Sequence, residues 1–68
     1  MKIKYFEDTD TAFIEFTSNE IMETKEISEN IYIDIDETGN LVNMTIEHAK
    51  STGALSSFSY EEMGKKPA

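Results

Sequence analysis

The sequence predicts a mainly β fold, a small α+β domain laid out as an antiparallel β-meander of four to five strands with one short C-terminal helical element. Three observations carry this. Residues 31–36 (Ile-Tyr-Ile-Asp-Ile-Asp) and 41–48 (Leu-Val-Asn-Met-Thr-Ile-Glu-His) alternate apolar and polar side chains. Alternation at period two marks a half-buried strand, because successive side chains point to opposite faces. A polar break with one glycine, Gly39, separates the two runs and reads as a hairpin loop. Further polar clusters at 7–10, 18–20 and 28–30 divide the rest of the chain into short segments, and short turns between consecutive strands make a meander.

Taken in order, residues 2–6 alternate lysine with apolar groups, setting Ile3 and Tyr5 inward. Glu7 to Asp10 is a turn whose side chains bond nearby backbone. Residues 11–17 resume a strand rich in β-branched and aromatic residues, with Ala12, Ile14 and Phe16 on one face and Thr11, Phe13 and Glu15 on the other. Residues 21–27 are too polar for a central strand. Their Met, Glu and Lys allow a helix, but an edge strand guarded by charge is preferred. Residues 31–36 and 41–48 form the main hairpin, with Ile33 and Met44 on the core face. Gly39 is expected at positive φ, in a type I turn with a G1 bulge. Residues 48–54 are read as one helical turn ended by Gly53, while 55–60 read equally as coil or a last strand. Leu55 or Tyr60, each with Phe58, is expected to cover an open sheet end. The domain is taken as 1–62, with a frayed tail at 63–68.

The inward set is then Ile3, Tyr5, Ile14, Phe16, Ile31, Ile33, Ile35, Val42, Met44 and Ile46. Phe6, Phe13 and Tyr32 lie on the second face among polar groups. One short helical element cannot cover a five-stranded sheet, so a second molecule is expected to do so. Phe13 and Tyr32 are the candidate interface residues, and a two-fold homodimer is the expected assembly.

Size and charge narrow the function classes. A chain of 68 residues without cysteine has neither a disulfide nor a thiolate metal site to support a small core. It must rely on a regular sheet, on association, or on both. Cysteine-free composition fits a reducing compartment, and the expected location is cytoplasmic. The net charge is −8, with six lysines and no arginine. Such a surface repels phosphates, so no direct nucleic-acid binding is expected; a basic protein is the complementary partner. No stretch approaches the roughly 20 apolar residues of a membrane span.

Two constellations invite a chemical reading. Asp34, Asp36, Thr38 and Gly39 imitate the first half of a calcium loop, but the position that should carry a bidentate glutamate is Thr45, inside a strand. The residues are explained by two outward carboxylates and a turn, so no metal and no cofactor is expected. His48 is the only histidine. Catalysis needs an orienting partner or a nucleophile, and no motif frames the serines at 51, 56, 57 and 59. His48 is read as capping the core face at the end of the last strand, and the chain as no enzyme.

The opening Met-Lys-Ile-Lys-Tyr, the segment Asp-Thr-Ala-Phe-Ile-Glu-Phe-Thr at 10–17, and the stretch 31–49 with its Asp-x-Asp-x-x-Gly hairpin and Ile-Glu-x-x-Ala close resemble the DUF2283 family. These are small, mostly bacterial proteins of unknown function. The resemblance covers about residues 1–50. Asn43 departs from it, standing where relatives often carry glycine. The family assigns no catalytic residues, so none is carried over. Its members are often encoded beside small toxin-like proteins, which implies an antitoxin role. The expected function is a non-enzymatic protein-interaction module, with an antitoxin-like binder of a basic toxin as the alternative.

Overall fold

The structure, a computed structural model, describes residues 1–57 and 59–64. Five strands form: β1 (Lys2–Phe6), β2 (Thr11–Glu15), β3 (Glu23–Ser28), β4 (Ile31–Ile35) and β5 (Leu41–Glu47). All pairings are antiparallel, in the order β1-β2-β5-β4-β3. The fold is therefore mainly β, as the alternation predicts, and residues 23–28 are the edge strand that their charges favour.

The order corrects the meander. β2 and β3 follow one another in sequence but are separated by β5 and β4. Strands β2 to β5 have Greek-key order, three hairpin-linked strands and a fourth reached by a longer connection. The physical reason lies in β3, whose residues are all exposed. A strand so polar suits an edge. The centre goes to β5, where Val42 and Asn43 are buried.

The β2–β3 connection crosses the end of the sheet, not a face. The amides of Phe16 and Thr17 donate to the Val42 carbonyl at 2.8 and 3.3 Å. Asn19 Nδ2 donates to Asp36 Oδ2 at 2.9 Å, and the Met22 amide to the Ile35 carbonyl at 2.8 Å. These acceptors lie where β4 ends and β5 begins, so the connection closes that end of the sheet.

Residues directly opposite one another across paired strands share a face. The register Ile3↔Ile14, Ile14↔Met44, Met44↔Ile33 and Ile33↔Lys25 makes one row across all five strands. Beside it runs Tyr5, Ala12, Ile46 and Ile31. The other face carries Lys4, Phe13, Thr45, Tyr32 and Glu26 in one row. Two bulges break the simple alternation. Asp34 faces Asn43 but Ile35 faces Leu41, so the extra residue is Val42 and Leu41 joins the isoleucine face instead of the polar one. Glu26 faces Tyr32 but Ser28 faces Ile31, which leaves Ile27 unpaired on the edge.

The inward set does not make a closed core. Of its ten members only Val42, 2% exposed, is buried; the other nine are half-buried. The remaining buried apolar residues are the small Ala12 and Ala49, and no large side chain among the described residues is fully buried. The reason is architectural: a single sheet has no second layer unless something packs on it.

The C-terminal helical element is also corrected. Residues 48–55 make successive turns. The Thr52 amide reaches the His48 carbonyl at 3.0 Å, Gly53 reaches Lys50 at 3.0 Å, and Leu55 reaches Ala49 at 2.8 Å. One four-residue hydrogen bond does not offset the cost of nucleating a helix, and Gly53, at φ +78°, turns the chain away. Residues 59–64 have no regular structure, and Tyr60 and Met63 are 70% and 79% exposed. Tyr60 therefore covers no sheet end, whereas Phe58 lies outside the described residues. Of the expected tail at 63–68, only Met63 and Gly64 are described. No helix among the described residues is long and apolar enough to cross a membrane.

Candidate interaction surfaces and anchored carboxylates

Three aspartates organise the loops. Asp36 follows β4 and is 8% exposed. Its Oδ1 accepts from the Thr38 amide at 3.0 Å, the Thr38 hydroxyl at 2.8 Å and the Asn40 amide at 2.9 Å; its Oδ2 accepts from Asn19. The Gly39 amide donates to the Asp36 carbonyl at 3.0 Å, with Gly39 at φ +86°. This is the glycine-dependent hairpin loop that the sequence predicts. The Thr38 and Asn19 side chains, with the Asn40 amide, pull the Asp36 pKa down to about 2. Asp34 accepts from the Thr24 hydroxyl at 2.6 Å and from Asn43 Nδ2 at 3.1 Å. All four oxygens of the pair are thus engaged by donors within the fold. Among the described residues, no three metal-ligating side chains cluster to hold an ion.

Asp10 is the third anchor, and nothing in its local sequence announces its reach. It sits at φ +54° after the β1–β2 turn. Its Oδ1 accepts from the Tyr5 hydroxyl at 2.6 Å and the Lys50 amide at 2.9 Å; its Oδ2 accepts from the Ser51 hydroxyl at 2.6 Å and the Ser51 amide at 3.1 Å. The Ala49 amide donates to the Asp10 carbonyl at 2.9 Å, and Lys50 Nζ lies 4.5 Å from the centre of the Tyr5 ring. The Ser51 and Tyr5 hydroxyls, ahead of the Lys50 amide, hold the Asp10 carboxyl well below the usual carboxylate range. The same contact raises the Tyr5 phenol to about 12. This latch pins the chain after β5 against the β1–β2 hairpin and buries Ala49 completely. It also occupies Ser51, one of the serines considered as a nucleophile.

His48 does not cap the core face. It is exposed, at φ +54°, in the turn after β5. Its carbonyl accepts from the Thr52 amide and hydroxyl, the latter at 2.7 Å. The side chain makes no hydrogen bond among the described residues.

Phe13 and Tyr32 both stand opposite Thr45, one on each side, so they share the polar face and are half-buried. Tyr32 lies beside Glu47 and Glu26, whose charges raise its pKa. The lysines of that face, Lys2 and Lys4, are on β1, and Lys4 Nζ meets Glu15 Oε1 at 3.4 Å. Among the described residues, no ammonium forms an ion pair with the carboxylates around Tyr32. A cleft of about 470 Å³ opens at the crossover end, lined by Asn19, Glu20, Ile21, Met22, Asp36 and Thr38 among others.

Comparison with known proteins adds one finding. No curated protein and no solved structure matches the chain. A family model described as "Protein of unknown function (DUF2283)" matches residues 2–50. The matched stretch includes β1 to β5, the Asp36 loop, Asp10 and Ala49, and it stops just short of Ser51. The chain belongs to the DUF2283 family of proteins of unknown function.

Proposed function

We propose that this chain is a non-enzymatic protein-interaction module, cytoplasmic in location, whose isoleucine face receives another protein. One observation carries the reading: the row Ile3, Ile14, Met44 and Ile33 is apolar across four strands, and all four side chains stay only half-buried. An apolar patch of that kind on a soluble chain marks a contact surface. Photo-methionine placed at Met44 in the native host, with the other methionines replaced by leucine, tests the reading. Protein adducts at position 44 are expected. Adducts at position 63 in a matched control, with none at 44, contradict it.

A second reading is favoured by the charge on the opposite face. Tyr32 between Glu26 and Glu47, with Asp34 on the same face, suits the lysine and arginine side chains of a basic partner such as a small toxin. Steering by such charges weakens with salt. Titration with a small basic protein should therefore show affinity that falls steeply from low to physiological salt, and Glu26→Lys with Glu47→Lys should remove it. Affinity unchanged in that double variant counts against this role.

A further inference from the structure

We propose that the occupant of the isoleucine face is a second copy of this chain, the two sheets packed face to face about a two-fold axis. The proposal rests on the interaction-module reading and names its partner. Surface area is the first argument. The chain exposes 5550 Å², whereas a compact monomer of this mass exposes about 4,300 Å². The excess, about 1,200 Å², is shared between the uncapped sheet and the exposed segment after residue 55.

Charge sorting is the second argument. Two copies bring together chains of net charge −8, which should repel. The isoleucine face is spared that charge. Along its strands the charged residues are Glu23 and Lys25, of opposite sign, both on edge strand β3. The carboxylates Glu15, Glu26, Asp34 and Glu47 are on the other face. Burying that other face would strand unpaired charge. The contact between copies therefore falls on the side away from Phe13 and Tyr32.

The edges are the third argument. β1 carries Lys2 and Lys4, and β3 carries Glu23, Lys25, Glu26 and a bulge at Ile27. Charges and bulges are the devices that block edge-to-edge pairing. A face-to-face contact needs neither edge. It sets aligned sheets about 10 Å apart, as in a β-sandwich. The chain's own C-terminal segment is the competing cover, and its described residues after Leu55 are all exposed.

Sedimentation equilibrium of the full chain tests this, with Ile14→Lys and its neighbour Phe13→Lys, which lie on opposite faces. The wild type and Phe13→Lys should have twice the 7.7 kDa chain mass. Ile14→Lys should give no folded dimer, and the wild-type melting temperature should rise with concentration. A 7.7 kDa wild type with a concentration-independent melt overturns the proposal. So does a dimer lost in Phe13→Lys but kept in Ile14→Lys. A wild-type monomer that loses its cooperative melt when residues 56–68 are removed assigns the face to the chain's own tail, and also overturns it. If the chain is monomeric but position 44 joins a different protein in cells, the second copy fails and the interaction reading stands. If position 44 joins no protein, both fail.

Discussion

Ile33 and Met44 stand directly opposite each other at the middle of the β4–β5 pair, and both remain only half-buried among the described residues. They line a surface that supplies apolar contact only when something packs upon it.

Substitution on the two faces should separate core-like from surface-like behaviour. Ile33→Asp places an unpaired carboxylate in the isoleucine row and should cost more than about 3 kcal/mol. That is enough to unfold a domain whose core supplies roughly 3–5 kcal/mol. Tyr32→Thr, one position along, keeps strand propensity and should cost about 1 kcal/mol. Urea titration measures both. Equal tolerance shows that the two faces are alike in burial.

Stability should fall on the acid side in a defined window. The Asp36 carboxyl titrates near 4 in the unfolded chain and is held at about 2 in the fold, while Asp10 is also lowered. A depressed carboxyl contributes stability above its unfolded pKa, and loses it as pH falls through the folded one. The midpoint in urea should hold steady down to about pH 5 and drop between about pH 4 and 2. The raised Tyr5 phenol works in the opposite sense: its contribution is present below about pH 10 and is lost as pH rises through about 12. Asp36→Asn should flatten the acid limb, and an unchanged limb contradicts the assignment.

The Asp10 latch predicts a local effect. Asp10→Ala removes the acceptor of the Lys50 and Ser51 amides. Hydrogen exchange at those two amides should speed up far more than at the β4–β5 amides. Uniform acceleration across the sheet indicates global destabilisation instead.

Two turn positions should respond with opposite sign. Gly39 sits at φ +86° with nothing within 4 Å of an added Cβ. Gly39→Ala should therefore cost about 1 kcal/mol from backbone strain alone. His48 holds a similar φ, +54°, without being glycine. His48→Gly should gain about 0.5–1 kcal/mol, the relief of that strain less the added chain entropy. Thermal melts of the two variants decide the signs.

Calcium should have no effect. The Asp34 and Asp36 oxygens already accept hydrogen bonds from Thr24, Asn43, Thr38, Asn40 and Asn19. Millimolar calcium should leave the melting temperature in place; a rise of about 10 °C, the size expected for a saturated site, contradicts this.

The strands and the Gly39 loop were legible because alternation and turn chemistry are local. Strand order was not. Period two says which side chains share a face but not which strand lies beside which, so the insertion of β5 between β2 and β4 left no local trace. The bulges at Val42 and Ile27 shift the face by one residue, which moved Leu41 to the isoleucine side. The Asp10 latch joins residues about forty apart, and only the folded chain brings Ser51 and Lys50 to that carboxylate. Residues 48–54 looked helical from the glycine at 53, yet one turn with one long-range anchor needs no helix.

Cover over the isoleucine face in solution can be read at its methyl groups. Methyl-labelled chain with a soluble paramagnetic agent tests this most directly. Val42, 2% exposed, marks full shielding; Ile21 and Ile27, 47% and 58% exposed, mark open surface. With the face covered, the Ile14 and Ile33 methyls relax as slowly as those of Val42. Relaxation as fast as at Ile21 and Ile27 contradicts it.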